Sequence, residues 1–135
     1  MVPTDRLEGR AREIIDAPNH VTVSIARPDG SVQSIVAWAA LEDGNVALNS
    51  AVGRSWPTNL LNAGRATVLA FADGNPHEWV SVEGELVHSS TEDGVEHDDL
   101  LARKYLGTAT HARPPGQERI RMVLRPTRVV YLKQD

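Results

Sequence analysis

A chain of 135 residues, 41% of them apolar, is the size of one domain and carries enough hydrophobic side chains to build a core. Its 14 Lys and Arg stand against 18 Asp and Glu, a net charge of −4, which excludes an extended nucleic-acid or anionic-membrane surface and makes any phosphate site local. Lack of cysteine removes disulfides, thiolate nucleophiles and cysteine metal centres, and without an apolar leader or a window of membrane-spanning length a soluble cytoplasmic protein is expected.

Leu7, Ala11, Ile14 and Ile15 share one face at helical spacing behind Thr4 and Asp5, so residues 5–17 read as an amphipathic helix ended by Pro18-Asn19 and laid across a sheet. Val21, Val23 and Ile25 alternate with smaller neighbours in a strand over 20–27, Pro28-Asp29-Gly30 turns, and residues 31–41 return as a second strand. Val32, Ser34, Val36 and Trp38 share one face of that strand and Gln33, Ile35, Ala37 and Ala39 the other; neither is strongly polar, so both are expected to be covered. Glu42-Asp43-Gly44 leads into a third strand over 45–50.

A short helix from Trp56 should stop near Asn62-Ala63-Gly64, with Gly64 as a left-handed C-cap, before a fourth strand over 65–72. Asp73-Gly74-Asn75-Pro76 is the next turn, and 78–88 a long strand that a bulge at Gly84 could bend toward barrel closure. Thr91 caps a helix acidic at its start, basic at its end and followed by Gly107. Residues 118–124 are a strand, Pro126 interrupts, and 128–132 complete the sheet. Six or seven short strands with two or three widely spaced helices make a mainly β, antiparallel barrel with helices outside it, not a doubly wound α/β fold.

The stretch Asn49 to Leu60 has the make-up of an anion cradle. Gly53 can take a backbone conformation closed to other residues, Ser55 is a good N-cap and Pro57 is tolerated in a first helical turn. The free first-turn amides, at the positive end of the helix dipole, attract phosphate, and Arg54 would add a bidentate fork. An ordinary strand-to-helix turn with a solvated arginine fits the same spacing at least as well. Trp38, Trp56 and Trp79 stand out where aromatics are 4% of the chain; each reads as a core residue or as a plane for a ring system. His20, His77 and His88 read as solvated or edge residues and His97 as a helix residue among acids. His77-Glu78 lacks the second histidine of a zinc-protease signature, and no nucleophile–base pairing is legible.

The succession Arg27-Pro28-Asp29-Gly30-Ser31, Ser34-Ile35-Val36-Ala37-Trp38, Asn49-Ser50-Ala51-Val52-Gly53-Arg54 with Asn59-Leu60, Trp79-Val80-Ser81-Val82-Glu83-Gly84, Arg103-Lys104-Tyr105-Leu106-Gly107 and Glu118-Arg119-Ile120 to Pro126 runs through nearly the whole chain. It resembles the pyridoxamine 5′-phosphate oxidase-like split β-barrel flavin/deazaflavin oxidoreductases, above all the branch that uses coenzyme F420, a 5-deazaflavin. The resemblance implies a split β-barrel of the FMN-binding type and a homodimer with two cofactor sites at the subunit interface. Ser50, Arg54 and Asn59 match the phosphate-side motif, and Ser34 and Trp38 the strand that approaches the cofactor. Gly53, Ser55, Trp56 and Trp79 complete the candidate cofactor-binding set.

This chain departs from many relatives in having Trp56 and Thr58 where they carry basic residues, so its phosphate pocket has lost cationic charge. Either Trp56 packs on the cofactor tail, or the preference among F420, FMN and no cofactor has changed. The Arg-Leu signature of pyridoxamine phosphate oxidases is not evident near the C-terminus, which argues against vitamin B6 oxidation. The activity implied is hydride transfer from reduced F420 to a conjugated or quinone-like small molecule. The alternatives are an FMN-binding oxidoreductase and a non-catalytic flavin or small-ligand carrier. Tyr105 and His77 are the candidate proton donors, with solvent as the alternative.

Overall fold

The computed structural model describes residues 2–134. Ten elements follow along the chain: α1 (Gly9–Asp16), β1 (Val21–Ala26), β2 (Val32–Ala37), β3 (Ala40–Glu42), β4 (Asn45–Ala51), α2 (Ser55–Ala63), β5 (Arg65–Ala72), β6 (Asn75–Ser90), α3 (Gly94–Leu106) and β7 (Arg119–Lys133). The strands form one antiparallel sheet in the order β2-β1-β5-β6-β7-β4-β3. β2 and β3 are thus the two edges of the sheet, although only Trp38 and Ala39 lie between them. The three residue steps from Ala37 to Ala40 span at most about 11 Å, so the sheet must curl until its edges meet at this link. No hydrogen-bonded ladder joins those edges, and the result is the expected split barrel.

The link corrects the single strand expected over 31–41. The Ala39 N–H donates to Tyr105 Oη (3.1 Å) and its carbonyl accepts from Lys104 Nζ (2.5 Å), so α3 takes the groups a continuous strand would offer to a ladder. Tyr105 also donates to the carbonyl of Asn19 (2.7 Å), and Lys104 to that of Ile15 (2.8 Å), which ties the end of α1 to the same point. Burial pushes the Lys104 ammonium down to about 8, with Asp16 opposing the shift.

Other boundaries differ for local reasons. Thr4 exchanges backbone hydrogen bonds with Val129, so α1 begins at Gly9 and not at residue 5. Arg54, not Ser55, occupies the N-cap of α2, and Asp93, not Thr91, that of α3; neither makes a side-chain cap bond. Asp73 and Gly74 alone make the β5–β6 turn, with φ of 50° and 73°, so β6 starts at Asn75. Pro126 does not break β7: it pairs with Gly84 where the register shifts, and an imino acid is tolerated at such a bulge. Gly64 and Gly107 do close α2 and α3 in the left-handed region, both at φ 72°.

The core lies on the concave face. Val21, Val23 and Ile25 of β1, Val68 of β5, Val80 and Val82 of β6, Met122 and Leu124 of β7 and Val46 and Leu48 of β4 enclose Ile14 and Ile15 of α1 and Leu60 of α2. Fully burying one such side chain contributes roughly 1.5–3 kcal/mol. At the edge of the core, Arg10 grips Glu78 with Nε and Nη2 (2.9 and 3.1 Å), and Tyr131 donates to the same carboxylate (2.6 Å). The Arg10 bonds, then that of Tyr131, hold the Glu78 carboxyl down at about 2.

The convex face is different. Of the two faces of β2 expected to be covered, Ile35 and Ala37 are half-buried, whereas Val32 and Val36 are 60% and 68% exposed within the chain. Beyond Thr22 of β1, which pairs with both Val36 and Leu69, the same face carries Leu69 and Phe71 on β5, Trp79 on β6 and Val130 on β7.

α3 reaches β7 at Gly94, where an added Cβ would stand 2.0 Å from the Arg119 carbonyl oxygen. Gly94→Ala must therefore push the helix off the strand, and urea unfolding of this variant should show a loss of about 3 kcal/mol.

Candidate functional site

Beside the Trp38–Ala39 link a cavity of about 200 Å³ opens between β2, β4, α2 and α3, lined among others by His20, Trp38, Ser50, Arg54, Trp56, His111 and Arg119. The backbone between β4 and α2 explains its polarity. Gly53 sits at φ 97°, with open space where a Cβ would be, so the turn requires glycine for its backbone angle and not for room. The amides of Gly53, Ser55 and Trp56 have no acceptor among the described residues, and Arg54 has no carboxylate partner there. Ser50, 2% exposed, has a buried hydroxyl without a hydrogen-bond partner among the described residues. A buried hydroxyl left unpaired costs about 1–3 kcal/mol, so a ligand oxygen meeting it is favoured.

A charged cluster supports the cavity floor. Arg119 donates Nε to Asn49 Oδ1 (2.9 Å), Nη1 to Gln117 (3.1 Å) and Nη2 to Asp98 Oδ1 (3.1 Å). Asp98 is 1% exposed and also accepts from Arg113 Nη1 (3.0 Å) and His111 Nδ1 (3.0 Å). Burial lowers the Arg119 pKa; Asp98 opposes this, while Arg54 and Arg113 add to it. The cavity thus holds positive charge that an anion would relieve.

Asn49 binds this cluster to α3. With its oxygen occupied by Arg119, its amide nitrogen donates to the Gly94 carbonyl (2.8 Å) and to His97 Nδ1 (3.0 Å). His97 therefore carries its hydrogen on Nε2, which is buried without a partner among the described residues.

Of the sequence-derived candidates, Trp38, Ser50, Arg54 and Trp56 come together in the cavity lining. Trp38 stacks on Tyr105 (5.2 Å, 8°) and its Nε1 donates to His20 Nε2 (3.3 Å). Gly53 shapes the turn. Ser55 accepts from Gln33 Nε2 (2.9 Å) and Asn59 donates to Gln33 Oε1 (2.7 Å), so both join α2 to β2 across the split. Ser34 shares a hydrogen bond with Ser24 on the convex face (2.9 Å), and Trp79 lies in a shallow apolar groove with Leu69, Phe71 and Val130. Neither Tyr105, whose hydroxyl serves backbone groups, nor His77, at the start of β6, lines the cavity.

Sequence reading missed His20, Asn49, Asp98, His111 and Arg119. For Asp98 a signal existed: it shares a helical face with Gly94, Leu101, Ala102 and Tyr105, the face that α3 buries.

No family model and no curated protein matches the chain. Solved structures share its fold. It is similar to an F420 reductase with a TM-score of 0.77 at 21% identity, over 91% of this chain and 96% of that one. A pyridoxamine 5′-phosphate oxidase-related, FMN binding protein from Nostoc punctiforme gives 0.65 at 14%, over 86% and 74%. A heme binding protein from Mycobacterium smegmatis gives 0.67 at 18%, over 90% and 51%. One barrel thus carries proteins named for a deazaflavin, a flavin and a haem, and the ligand must be argued from the residues.

The buried His97 has a measurable consequence. Burial first, and then the Arg121 charge, hold its imidazole at about 4, below the ordinary 6.5, so between those values the unfolded chain binds the extra proton and stability falls as pH falls. Urea unfolding should lose about 2 kcal/mol between roughly pH 7.5 and 5. His97→Asn keeps an acceptor for Asn49 and should flatten this dependence.

Proposed function

We propose that this protein is a flavin-type oxidoreductase of the split-barrel family, working as a cytoplasmic homodimer that binds coenzyme F420 and reduces a conjugated or quinone-like small molecule. The observation that carries the reading is the unpaired, buried hydroxyl of Ser50 beside the unpartnered Arg54 and the free amides of Gly53, Ser55 and Trp56. That donor set suits a phosphate, and Trp38 and Trp56 supply aromatic walls for a flat ring or its tail. Trp56 and Thr58 add no charge, so Arg54 is the one cation of this turn. When bound, the deazaflavin supplies the two-electron chemistry; the chain binds the phosphate, orients the ring and limits water. The similarity in fold to an F420 reductase supports the same reading.

The convex face supports the dimer. Val32, Val36 and Phe71 are 60%, 68% and 45% exposed on this face, and Val36 also lines the cavity. A second copy lying on this face would reach the cofactor site.

Fluorescence titration with F420, FMN and FAD in parallel tests the cofactor: F420 should bind most tightly, and no binding of any would overturn the reading. Binding without reduction of any quinone would leave a carrier. Arg54→Ala should weaken F420 binding about 10- to 100-fold, a loss that shrinks as salt rises. For the dimer, light scattering should give twice the chain mass, and Val36→Glu should give a monomer that still unfolds in one cooperative transition, at a temperature that no longer depends on protein concentration.

A further inference from the structure

His111 stands on the loop between α3 and β7, with its ring in the cavity lining 5.1 Å from that of Trp38 at 52°. Its backbone N–H donates to Asp99 (2.9 Å), which fixes the loop, and its Nδ1 lies 3.0 and 3.2 Å from the two oxygens of Asp98. The charged and titratable groups around it are Asp98, Asp99 and Tyr105 on α3, Arg113 on its own loop, Arg119 on β7, Arg54 before α2 and His20 before β1. Asp98 accepts from Arg113 and Arg119 through its two oxygens and faces His111 only with acceptor atoms, so Nδ1 of His111 is the donor of their bond. Nε2, across the ring, has no partner among the described residues, and the side chain is 31% exposed. The other imidazole of the cavity is not equivalent, because His20 Nε2 already accepts from Trp38.

We propose that Asp98 and His111 form an oriented proton-transfer pair, in which Nε2 of His111 exchanges a proton with an oxygen of the small molecule bound beside Trp38. The inference rests on the reductase reading. In that reading a reduced deazaflavin would supply a hydride, which leaves a conjugated or quinone-like acceptor with one oxygen anion; the His111 imidazolium gives it the Nε2 proton and becomes neutral, and solvent at the exposed ring edge restores that proton. Asp98 remains a carboxylate throughout and acts as a positioning residue.

The test combines a spectrum with kinetics. In protein labelled with ¹⁵N-histidine, the His111 cross-peaks should show hydrogen on Nδ1 and a bare Nε2 when the ring is neutral. With reduced F420 as hydride donor and menadione as acceptor, the wild type should lose kcat on the basic side of its pH profile, since the acid form of the pair is needed. His111→Gln should bind F420 within twofold of the wild type, lower kcat by about 10²-fold or more and abolish that basic limb. A neutral ring with hydrogen on Nε2, or a His111→Gln enzyme with unchanged kcat and pH profile, would overturn the pair while leaving the reductase reading intact. If the wild type binds neither F420 nor FMN, both fall together.

Discussion

The two-residue link Trp38–Ala39 is the constraint on which this molecule turns. Because β2 and β3 are opposite edges of one sheet and yet adjacent in the chain, the covalent backbone forces the edges together where no ladder can. Tyr105 and Lys104 then fasten the link by its own amide and carbonyl, using the last turn of α3. Since the same Tyr105 ring stacks on Trp38, the clamp that closes the barrel also sets an aromatic wall of the cavity.

Charge is placed with the same economy of elements. Asn49 on β4, Asp98 on α3 and Arg119 on β7 meet behind the cavity, and each polar bond that holds these three elements together also aims a group toward it. Buried ion pairs are weak sources of net stability because desolvation offsets their attraction, but removing one partner is costly. Such a cluster makes the relative position of β4, α3 and β7 specific, which a site assembled from three elements needs. Glu78 does the equivalent at the other end, where Arg10 and Tyr131 hold α1 on the sheet.

The two faces of the sheet divide the remaining roles. The concave face is filled by Ile14, Ile15 and Leu60 from helices. The split, where Ser50 and Arg54 line one cavity with Trp38, stays open, and the convex face leaves Val32, Val36 and Phe71 exposed.

Local sequence determined what depends on near neighbours. The alternation of Val21, Val23 and Ile25, Gly64 and Gly107 as helix ends and Gly53 before α2 are each decided by a few consecutive backbone angles and side chains, and the structure has them where the residues put them. From such stretches, with the resemblance they carry, came the split barrel and the cavity residues Trp38, Ser50, Arg54 and Trp56. What depends on remote partners was decided only by the tertiary structure. The break after Ala37 exists because Tyr105, more than sixty residues later, captures Ala39 (|i−j| of 66). Pro126 stays within β7 because Gly84 relaxes the ladder opposite it. Asp98 looked like one more acid of a dipole-stabilised helix until Arg119 and His111 met it, since a carboxylate changes from solvated charge to orienting acceptor by what the fold brings within 3 Å or so of it, which local spacing does not encode.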